Sequence, residues 1–381
     1  MPAGSRVVPV LARATALPIA ARLRPNQPSE FHQTENVAFV VAAPYVRFQE
    51  RFRVGPWEFI PYSDLQVADT PGQAEYDRAQ GLMGLYHRSR RIPDNFGCFV
   101  KRRTGLVGEE ITFAQLGSLR SVVLFGFLDR NPVDRTLGGE EDPNAGHKIW
   151  TSDNFLIVGH RVEHGFAAAR YGAMSQSLVA GLRLDDEHAE IAPPAELVCP
   201  FMGLQPDPVV TDALWRVSRL RTPESRRILR AIDWLDLAWR NTPSVSQEMR
   251  IVLLKSGFET LLDVGERVDD QRTALQALLP KAAPKRRMRR WLGRQGQPVA
   301  AVMTDLEWWY TRFAHLRNAI AHGEVITGSL HRFGHTYHLW IAELRLRQAI
   351  KESIANQGFP LVPLTPWERV VAQALAAVGG T

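Results

Sequence analysis

Cysteine is nearly absent from this chain of 381 residues, which contains only Cys98 and Cys199. Two cysteines about a hundred positions apart supply neither a disulfide framework nor a four-cysteine zinc site. Because such scarcity of cysteine is typical of proteins in a reducing compartment, we expect this protein in the cytoplasm.

Long apolar runs are also missing. A membrane-spanning helix needs roughly 18 or more consecutive apolar residues, and no such stretch occurs. The first 29 residues contain no acidic residue, and Arg13 interrupts the only apolar stretch that resembles a secretory signal. We therefore expect residues 1–30 to form a basic, disordered arm rather than a targeting peptide.

The motifs of several enzyme classes do not occur, including the Gly-rich phosphate loop, the nucleophile elbow and a paired cysteine and histidine. One metal-type motif does occur, because residues 160–164 spell the H-x-x-E-H of inverted zinc peptidases. That chemistry needs both histidines on one turn of a helix. Here a strand-like run ends at Gly159 and Gly165 follows the motif, so an ordinary turn in a β domain is the favoured interpretation.

Positive charge is in excess. The formal net charge is +6 and the pI is about 9.5, which favours an anionic partner such as nucleic acid. Arginine contributes most of the positive charge, as bidentate phosphate binding would require, although a GC-rich genome produces the same bias.

The densest basic segment spans residues 281–294, with seven basic residues and no acidic one. One interpretation is an RNA-binding track on which Trp291 stacks a base. The other is a solvated surface with Trp291 packed into the core. The candidate RNA-binding residues are Lys285, Arg286, Arg287, Arg289 and Arg290.

A chain of this length predicts two domains. Residues 31–205 have the texture of a mixed, mostly β domain, with one helix expected at 75–88, and we expect this domain to act as a sensor or regulator. Four runs in it have the composition and length of strands: 37–41, 57–60, 122–127 and 154–158.

The pattern becomes helical after a predicted linker at residues 205–208. Residues 210–357 then predict a helical bundle, and residues 358–381 a tail with a short helix. The expected fold class is α+β, with a mostly β N-terminal domain followed by an all-α bundle. Four helix signals support the bundle: Thr222 before Pro223, a capping box from Ser244 to Gln247, a second from Thr304 to Glu307, and a last helix over 329–356.

The helix that opens at Thr304 carries the candidate site. Its apolar seam ends near Arg317, Asn318 and His322, before Gly323 in the position of a left-handed cap. A guanidinium binds phosphate and an imidazole moves protons near neutral pH. At about 100° per residue, Asn318 and His322 point away from the seam, whereas Arg317 flanks it. We therefore expect the site at a cleft between two copies.

The loose spacing of arginine and histidine is not specific, because it occurs three times. Arg183 to His188 lies in an acidic stretch, and Arg332 to His338 lacks a polar residue after the arginine. Only the pair Arg317 and His322 combines the polar follower, a capped amphipathic helix and a terminal glycine. A catalytic site, a degenerate site and an ordinary surface pair all remain open at this stage.

This arrangement resembles the HEPN superfamily of helical-bundle RNases, whose members carry an arginine, four to six residues, and then a histidine. Arg317, Asn318 and His322 match the four-residue version. The context resembles the C-terminal HEPN domains of ApeA-like anti-phage abortive-infection proteins, over about residues 210–357. Phe258 to Leu262 adds to the resemblance, which makes Glu259 a candidate supporting residue.

The resemblance implies a metal-independent endoribonuclease without a cofactor, working as a homodimer. Arg317, Asn318 and His322 would be catalytic, and the product would be a 2′,3′-cyclic phosphate, so DNA should resist. A phage or cellular trigger would act at the N-terminal domain. The alternative is a non-catalytic dimerisation or RNA-binding module within a multi-protein system.

Three further histidines, His331, His335 and His338, follow at positions i, i+4 and i+7 of the predicted last helix. They indicate a solvent-exposed helix face, a contact with RNA or, less strongly, a metal site.

Overall fold

The structure is a computed structural model, and it describes most of the C-terminal half and parts of the N-terminal half. The described residues are 39–47, 50–55, 57–69, 73, 76–77, 80, 96–101, 113–130, 158–163, 166–172, 182–183, 206–239, 245–279, 286–292, 297–334, 336–359 and 361. The predicted basic arm, most of the predicted helix at 75–88 and nearly all of the C-terminal tail lie outside these residues.

A seven-stranded antiparallel sheet organises the described part of the N-terminal half. In space the strands follow the order β2-β3-β4-β1-β5-β6-β7. The central strand β1 pairs on both sides, with Val40 opposite Val100 on β4 and opposite His160 on β5. The strands are β1 Phe39–Arg47, β2 Phe52–Val54, β3 Trp57–Pro61, β4 Phe96–Lys101, β5 Val158–Glu163, β6 Phe166–Gly172 and β7 Leu182–Arg183.

Two of the predicted strands are confirmed, because residues 37–41 overlap β1 and residues 57–60 fall in β3. Of the run at 154–158, only Val158 lies among the described residues, and it begins β5.

The prediction of a strand at 122–127 is wrong. These residues lie in the middle of helix α1, Phe113–Arg130. Val122, Val123, Leu124 and Phe125 are all fully buried. A helix enclosed on every side loses the polar face that gives a helical period, so its sequence resembles a buried strand.

Six more helices follow among the described residues: α2 Pro208–Leu220, α3 Pro223–Ala238, α4 Gln247–Leu262, α5 Val268–Leu278, α6 Asp305–Ala321 and α7 His338–Asn356. Thr222 caps α3, accepting from the Ser225 N–H at 3.1 Å, as predicted. The cap of α4 is Ser246 instead of the predicted Ser244. Asp207, from the predicted linker, caps α2.

Helix α1 packs directly on the helices that follow it. Helices α1 and α2 approach closely at Gly126: a Cβ there would lie 2.3 Å from a methyl group of Thr211, and the Gly126 carbonyl accepts the Asp207 N–H at 3.0 Å. The buried side chains of β3, α1, α2 and α3 belong to the same hydrophobic cluster as those of the later helices. Strand β3 and these helices therefore share one core.

Two short hairpins flank α6. Strands β8 Arg286–Leu292 and β9 Pro298–Thr304 pair antiparallel before it, with Arg287 opposite Met303. Strands β10 Arg332–Phe333 and β11 Thr336–Tyr337 follow it. The last helix consequently begins at His338 and not at 329 as predicted, because the preceding residues turn and pair as strands and Gly334 has φ +62°.

In coarse form the expected fold class is confirmed, since the described residues combine antiparallel sheets with seven helices and are rich in helix toward the C-terminus. None of the described helices has the length and apolarity to cross a membrane.

Candidate active site at the end of helix α6

Both ends of α6 are fixed by local hydrogen bonds. At the start, the Thr304 hydroxyl accepts the Glu307 N–H at 3.1 Å and the Glu307 carboxylate accepts the Thr304 N–H at 2.7 Å, the predicted capping box. At the end, the Gly323 N–H donates to Ile320 O at 3.0 Å and the Glu324 N–H to Ala319 O at 2.9 Å. These two bonds, with Gly323 at φ +69°, form the predicted left-handed cap.

The seam of α6 is packed against α4. Trp309, Phe313 and Leu316 are buried. The ring of Phe258 on α4 lies 6.1 Å from the rings of both Trp309 and Phe313, in edge-on geometry. Aromatic contacts of this kind hold two helices in one register, so the last turn of α6 has a defined position relative to α4.

Arg317 lies on the flank of this seam and is half-buried. Its Nη1 donates to Asn318 Oδ1 at 3.1 Å. Its Nε is buried and has no hydrogen-bond partner. A guanidinium carries five N–H donors, and Arg317 makes no ion pair with the described residues. Donors therefore remain available for an anion that enters from outside.

His322 is the residue that ends α6, and its side chain is exposed. Its backbone N–H donates to Asn318 O. No hydrogen bond joins its ring to Arg317, Asn318 or Glu259 among the described residues. His322 follows Arg317 by five positions, which places their side chains about 140° apart around the helix and about 7.5 Å apart along it. Within this one chain the structure brings Arg317 to Asn318 but not to His322.

A buried polar cluster lies beside Arg317, and sequence reasoning found only one member of it. Lys255 on α4 is 3% exposed, and its Nζ donates to Glu259 Oε1 at 2.7 Å and to Gln271 Oε1 at 2.6 Å. The Tyr310 hydroxyl donates to the same Gln271 oxygen at 3.2 Å. The ammonium also lies over the Tyr310 ring, 5.4 Å from its centroid.

The charges in this cluster act on one another. Burial lowers the pKa of Lys255, the Glu259 carboxylate opposes that change, and Arg317 adds to it. Burial raises the pKa of Tyr310, Glu259 raises it further, and Arg317 lowers it. Glu259 and Arg317 are thus near enough to Lys255 and Tyr310 for their charges to be felt.

The signal that sequence reasoning missed is the position of Lys255. Its place on α4 lies between Ile251, four residues before, and Phe258, three residues after, both of which are buried. A lysine at that spacing falls on the buried face of the helix, where a charge requires a partner.

The predicted RNA-binding arginines lie on strand β8, and Lys285 lies outside the described residues. Arg286 pairs with Glu307 at 3.2 Å and Arg289 with Asp305 at 2.6 Å. The side chains of Arg287 and Arg290 have no hydrogen bond or ion pair with other described residues.

Each of the two interpretations of this basic segment is supported by one feature of the hairpin. Trp291 packs against Trp308, with ring centroids 5.6 Å apart, so part of its ring is already covered. Arg290 is exposed, as are Met288 at 59% and Val302 at 52%, which lie opposite each other on the same face of the hairpin. The outer face therefore carries both positive charge and apolar surface.

The three histidines near α7 do not lie on one helix face. His331 is in a turn, with its Nε2 at 4.0 Å from Glu248 Oε1, and His335 lies outside the described residues. His338 is buried at 1% and stacks on Phe313. Burial, with smaller contributions from Arg312 and His331, lowers the pKa of His338 to about 3. A histidine in this environment is neutral and part of the core.

The structure does not support the other motif matches found in the sequence. His160 and Glu163 lie on strand β5, so the helical turn that an inverted zinc peptidase needs is not formed there. Arg332 is exposed whereas His338 is buried, and Arg183 ends β7 with His188 outside the described residues. Among the described residues no group of three histidine, cysteine or acidic side chains is placed to hold a metal ion.

Comparisons of this chain with protein-family models, curated proteins and solved structures find no match. Its function must therefore be argued from the geometry at the end of α6.

Proposed function

We propose that the chain is a metal-independent endoribonuclease of the HEPN type that cleaves RNA in anti-phage defence or in a toxin-like response. The observation that carries the proposal is the state of Arg317. It is half-buried, donates to Asn318 and makes no ion pair among the described residues, and it lies about one and a half turns before an exposed histidine on the same capped helix.

The chemistry assigns one task to each side chain. The imidazole of His322 takes the proton from the RNA 2′-OH, or delivers one to the leaving oxygen. The 2′ oxygen then forms a bond to phosphorus while the bond to the 5′ oxygen breaks. Arg317 neutralises the charge that develops on the phosphoryl oxygens, and Asn318, which already accepts a bond from Arg317, holds the guanidinium in place. The products are a 2′,3′-cyclic phosphate and a 5′-hydroxyl.

A second copy of the chain completes the site in this proposal. Because Arg317 and His322 leave α6 about 140° apart, one subunit does not aim both at one phosphate. Two α6 helices facing each other across a two-fold axis bring the arginine of one subunit toward the histidine of the other. The HEPN-like bundle is then the catalytic unit in the cytoplasm, and the mostly β N-terminal half senses the trigger.

The alternative function is non-catalytic RNA binding, and one observation favours it. Arg290, Met288 and Val302 form an exposed basic and apolar face on the hairpin of β8 and β9. This face is able to hold RNA without any contribution from α6.

The deciding experiment incubates the purified chain with labelled RNA in EDTA and compares four proteins: the parent, Arg317→Ala, His322→Ala and Arg216→Ala. Arg216 is an exposed arginine on α2 and serves as the matched control.

We expect the parent and the Arg216 variant to produce fragments ending in a 2′,3′-cyclic phosphate, identified by mass spectrometry. The two α6 variants should lose at least about a hundredfold in rate, as removal of an acid–base group or a phosphate-binding arginine usually does. Cleavage by all four proteins would reject the assignment, and binding without cleavage by any of them would support the alternative.

A further inference from the structure

Two guanidinium groups share one indole ring where the hairpin of β8 and β9 meets α6. The central guanidinium carbon, Cζ, of Arg289 lies 6.0 Å from the ring centroid of Trp308, and that of Arg312 lies 5.7 Å from it. The ring of Trp291 lies 5.6 Å from the same ring. All four side chains are partly exposed. They therefore form one surface group of cations and aromatic rings, the Trp308 cluster.

The two arginines of the Trp308 cluster differ in their partners. Arg289 Nη2 donates to Asp305 Oδ1 at 2.6 Å, so its charge is compensated. Arg312 has no hydrogen bond or ion pair with other described residues. From Trp308 to Gly323, α6 contains no acidic residue. Among the described residues, the cluster therefore has one uncompensated positive charge, and it resides on Arg312.

The contact with Trp308 holds Arg312 in place without using its N–H groups. A cation above an aromatic ring is attracted by the charge distribution of the ring, so the contact consumes none of the five N–H donors of a guanidinium. These donors remain available to an anion. The planar fork of arginine fits two oxygens of a phosphate group.

The Trp308 cluster faces the same side of α6 as His322. Trp308 precedes His322 by fourteen positions, which places their side chains about 40° apart around the helix and about 21 Å apart along it. For Arg312, ten positions before His322, the corresponding values are about 80° and about 15 Å. A strand stacked as in a duplex advances about 3.4 Å per nucleotide, so RNA bound at His322 reaches Arg312 after roughly four nucleotides.

The rings of the cluster favour a single strand over a duplex. Trp291 and Trp308 are partly exposed, and bases of single-stranded RNA stack on aromatic side chains of this kind. In a duplex the bases are paired and stacked on one another, so they are not available to these rings.

We propose that Arg312 is a second phosphate-binding residue, which together with the rings of Trp291 and Trp308 forms a subsite for single-stranded RNA roughly four nucleotides from the cleaved bond. The inference rests on the proposed function of the α6 site, because the subsite holds the same strand that is cleaved at His322.

The test measures the affinity of the full chain for fluorescein-labelled 2′-O-methyl RNA, which cannot be cleaved because its 2′ oxygen is blocked. The strands range from about two to about ten nucleotides and so bracket the roughly four-nucleotide separation. The variants are Arg312→Gln, Arg317→Ala as the reference for the proposed phosphate contact, and Arg219→Gln. Arg219 is an exposed arginine in the last turn of α2 without an ion pair to other described residues, and it is the matched control.

We expect the affinity of the parent to rise once the strand exceeds roughly four nucleotides, and this rise to be missing in Arg312→Gln. For the longest strand, Arg312→Gln should bind about tenfold more weakly, since one charge-assisted contact corresponds to that factor. The slope of log affinity against log salt concentration should become smaller by about 0.7, the contribution of one phosphate on a single strand. Arg219→Gln should match the parent in both measurements.

The aromatic part of the subsite has its own variant. Trp291→Leu should weaken binding of the longest strand about tenfold, because stacking of one base contributes on that order. Its affinity for a strand with abasic residues in place of the bases should equal that of the parent. Equal losses for both strands would show that the ring does not stack a base.

Circular dichroism confirms that each variant is folded before its affinity is used. Should Arg312→Gln not fold, Arg312→Lys takes its place, because lysine keeps the charge but not the planar fork. It should bind the longest strand about threefold more weakly than the parent and keep the parent's salt dependence. Affinity equal to that of the parent would reject the role of Arg312.

The outcomes separate this inference from the proposed function. If Arg317→Ala weakens binding but Arg312→Gln matches Arg219→Gln, the subsite is rejected and the proposed function stands. If Arg312→Gln weakens binding of every strand equally, Arg312 acts on the α6 site as a whole and the subsite is again rejected. If only Arg312→Gln weakens binding, the subsite stands and the phosphate contact of Arg317 fails. A parent that binds none of the strands would reject both.

Discussion

Arg120 on α1 and Asp236 on α3 form a buried bidentate ion pair, with distances of 2.6 Å from Nη1 to Oδ2 and 3.1 Å from Nη2 to Oδ1. Their side chains are 5% and 7% exposed. Ser121, the next residue on α1, donates to Asp233 Oδ1 at 3.1 Å. The helix from the N-terminal half is thus joined to the later helices by charge as well as by apolar packing.

Replacing Asp236 by alanine should destabilise the protein strongly. The change removes the carboxylate that the buried Arg120 guanidinium binds. Breaking a buried pair in this way costs about 3–5 kcal/mol. Urea unfolding followed by circular dichroism measures the loss. The matched control is Asp212→Ala, because Asp212 pairs with Arg216 at 2.9 Å on the exposed face of α2, where such a pair contributes about 0.5 kcal/mol or less. Equal effects of the two substitutions would contradict the role assigned to Arg120 and Asp236.

Gly323→Ala should weaken the end of α6 through the backbone alone. Gly323 has φ +69°, and a Cβ there would meet no atom within 4 Å, so the cost is one left-handed residue, about 1–2 kcal/mol. RNA cleavage should fall several-fold with the loss of the cap, since His322 is the residue directly before it. Gly328→Ala is the control, because Gly328 also has open space around it but no left-handed φ. Gly323→Asn should retain more activity than Gly323→Ala, as asparagine tolerates this conformation; an alanine variant indistinguishable from the Gly328 control would refute the prediction.

His338 should make the protein sensitive to acid. Its pKa is about 3 in the folded chain and about 6.5 when unfolded. Between these values the unfolded chain binds a proton that the folded chain does not. The contribution of neutral His338 to the free energy of unfolding is therefore fully present above about pH 6.5 and decreases as the pH falls toward 3. At pH 4.5 this one group should remove about 2.5 kcal/mol of unfolding free energy relative to pH 7.

The measurement compares the parent with His338→Leu at both pH values by urea unfolding. The difference in stability between pH 7 and pH 4.5 should be smaller for His338→Leu than for the parent. His322→Ala, which removes an exposed histidine, serves as the control substitution. An unchanged dependence in His338→Leu would show that another group is responsible.

Local signals were sufficient to predict α6 from the sequence. The capping box at Thr304 and the left-handed cap at Gly323 involve residues within five positions of each other, so the sequence contains all the partners. The same holds for Thr222 before α3. The strand predicted at 122–127 failed for the opposite reason, because only tertiary burial on every side makes that apolar run suitable for a helix.

The cluster around Arg317 was only partly accessible to sequence reasoning. Arg317 and Asn318 were found from the motif at the end of α6 and Glu259 through a family resemblance, whereas Lys255 and Gln271 meet across the two consecutive helices α4 and α5. The basic segment at 281–294 likewise indicated the positive charge but not the strand. Its arginines alternate between two faces because β8 pairs with β9.

The shared core of α1, α2 and α3 has a practical consequence for work on the C-terminal half. An expression fragment beginning near residue 206 would remove α1 from Thr211, which is fully buried, and would take away the Arg120 guanidinium that pairs with Asp236. Such a fragment would expose hydrophobic surface and have poor solubility. Inactivity of that fragment would therefore say nothing about Arg317 or His322.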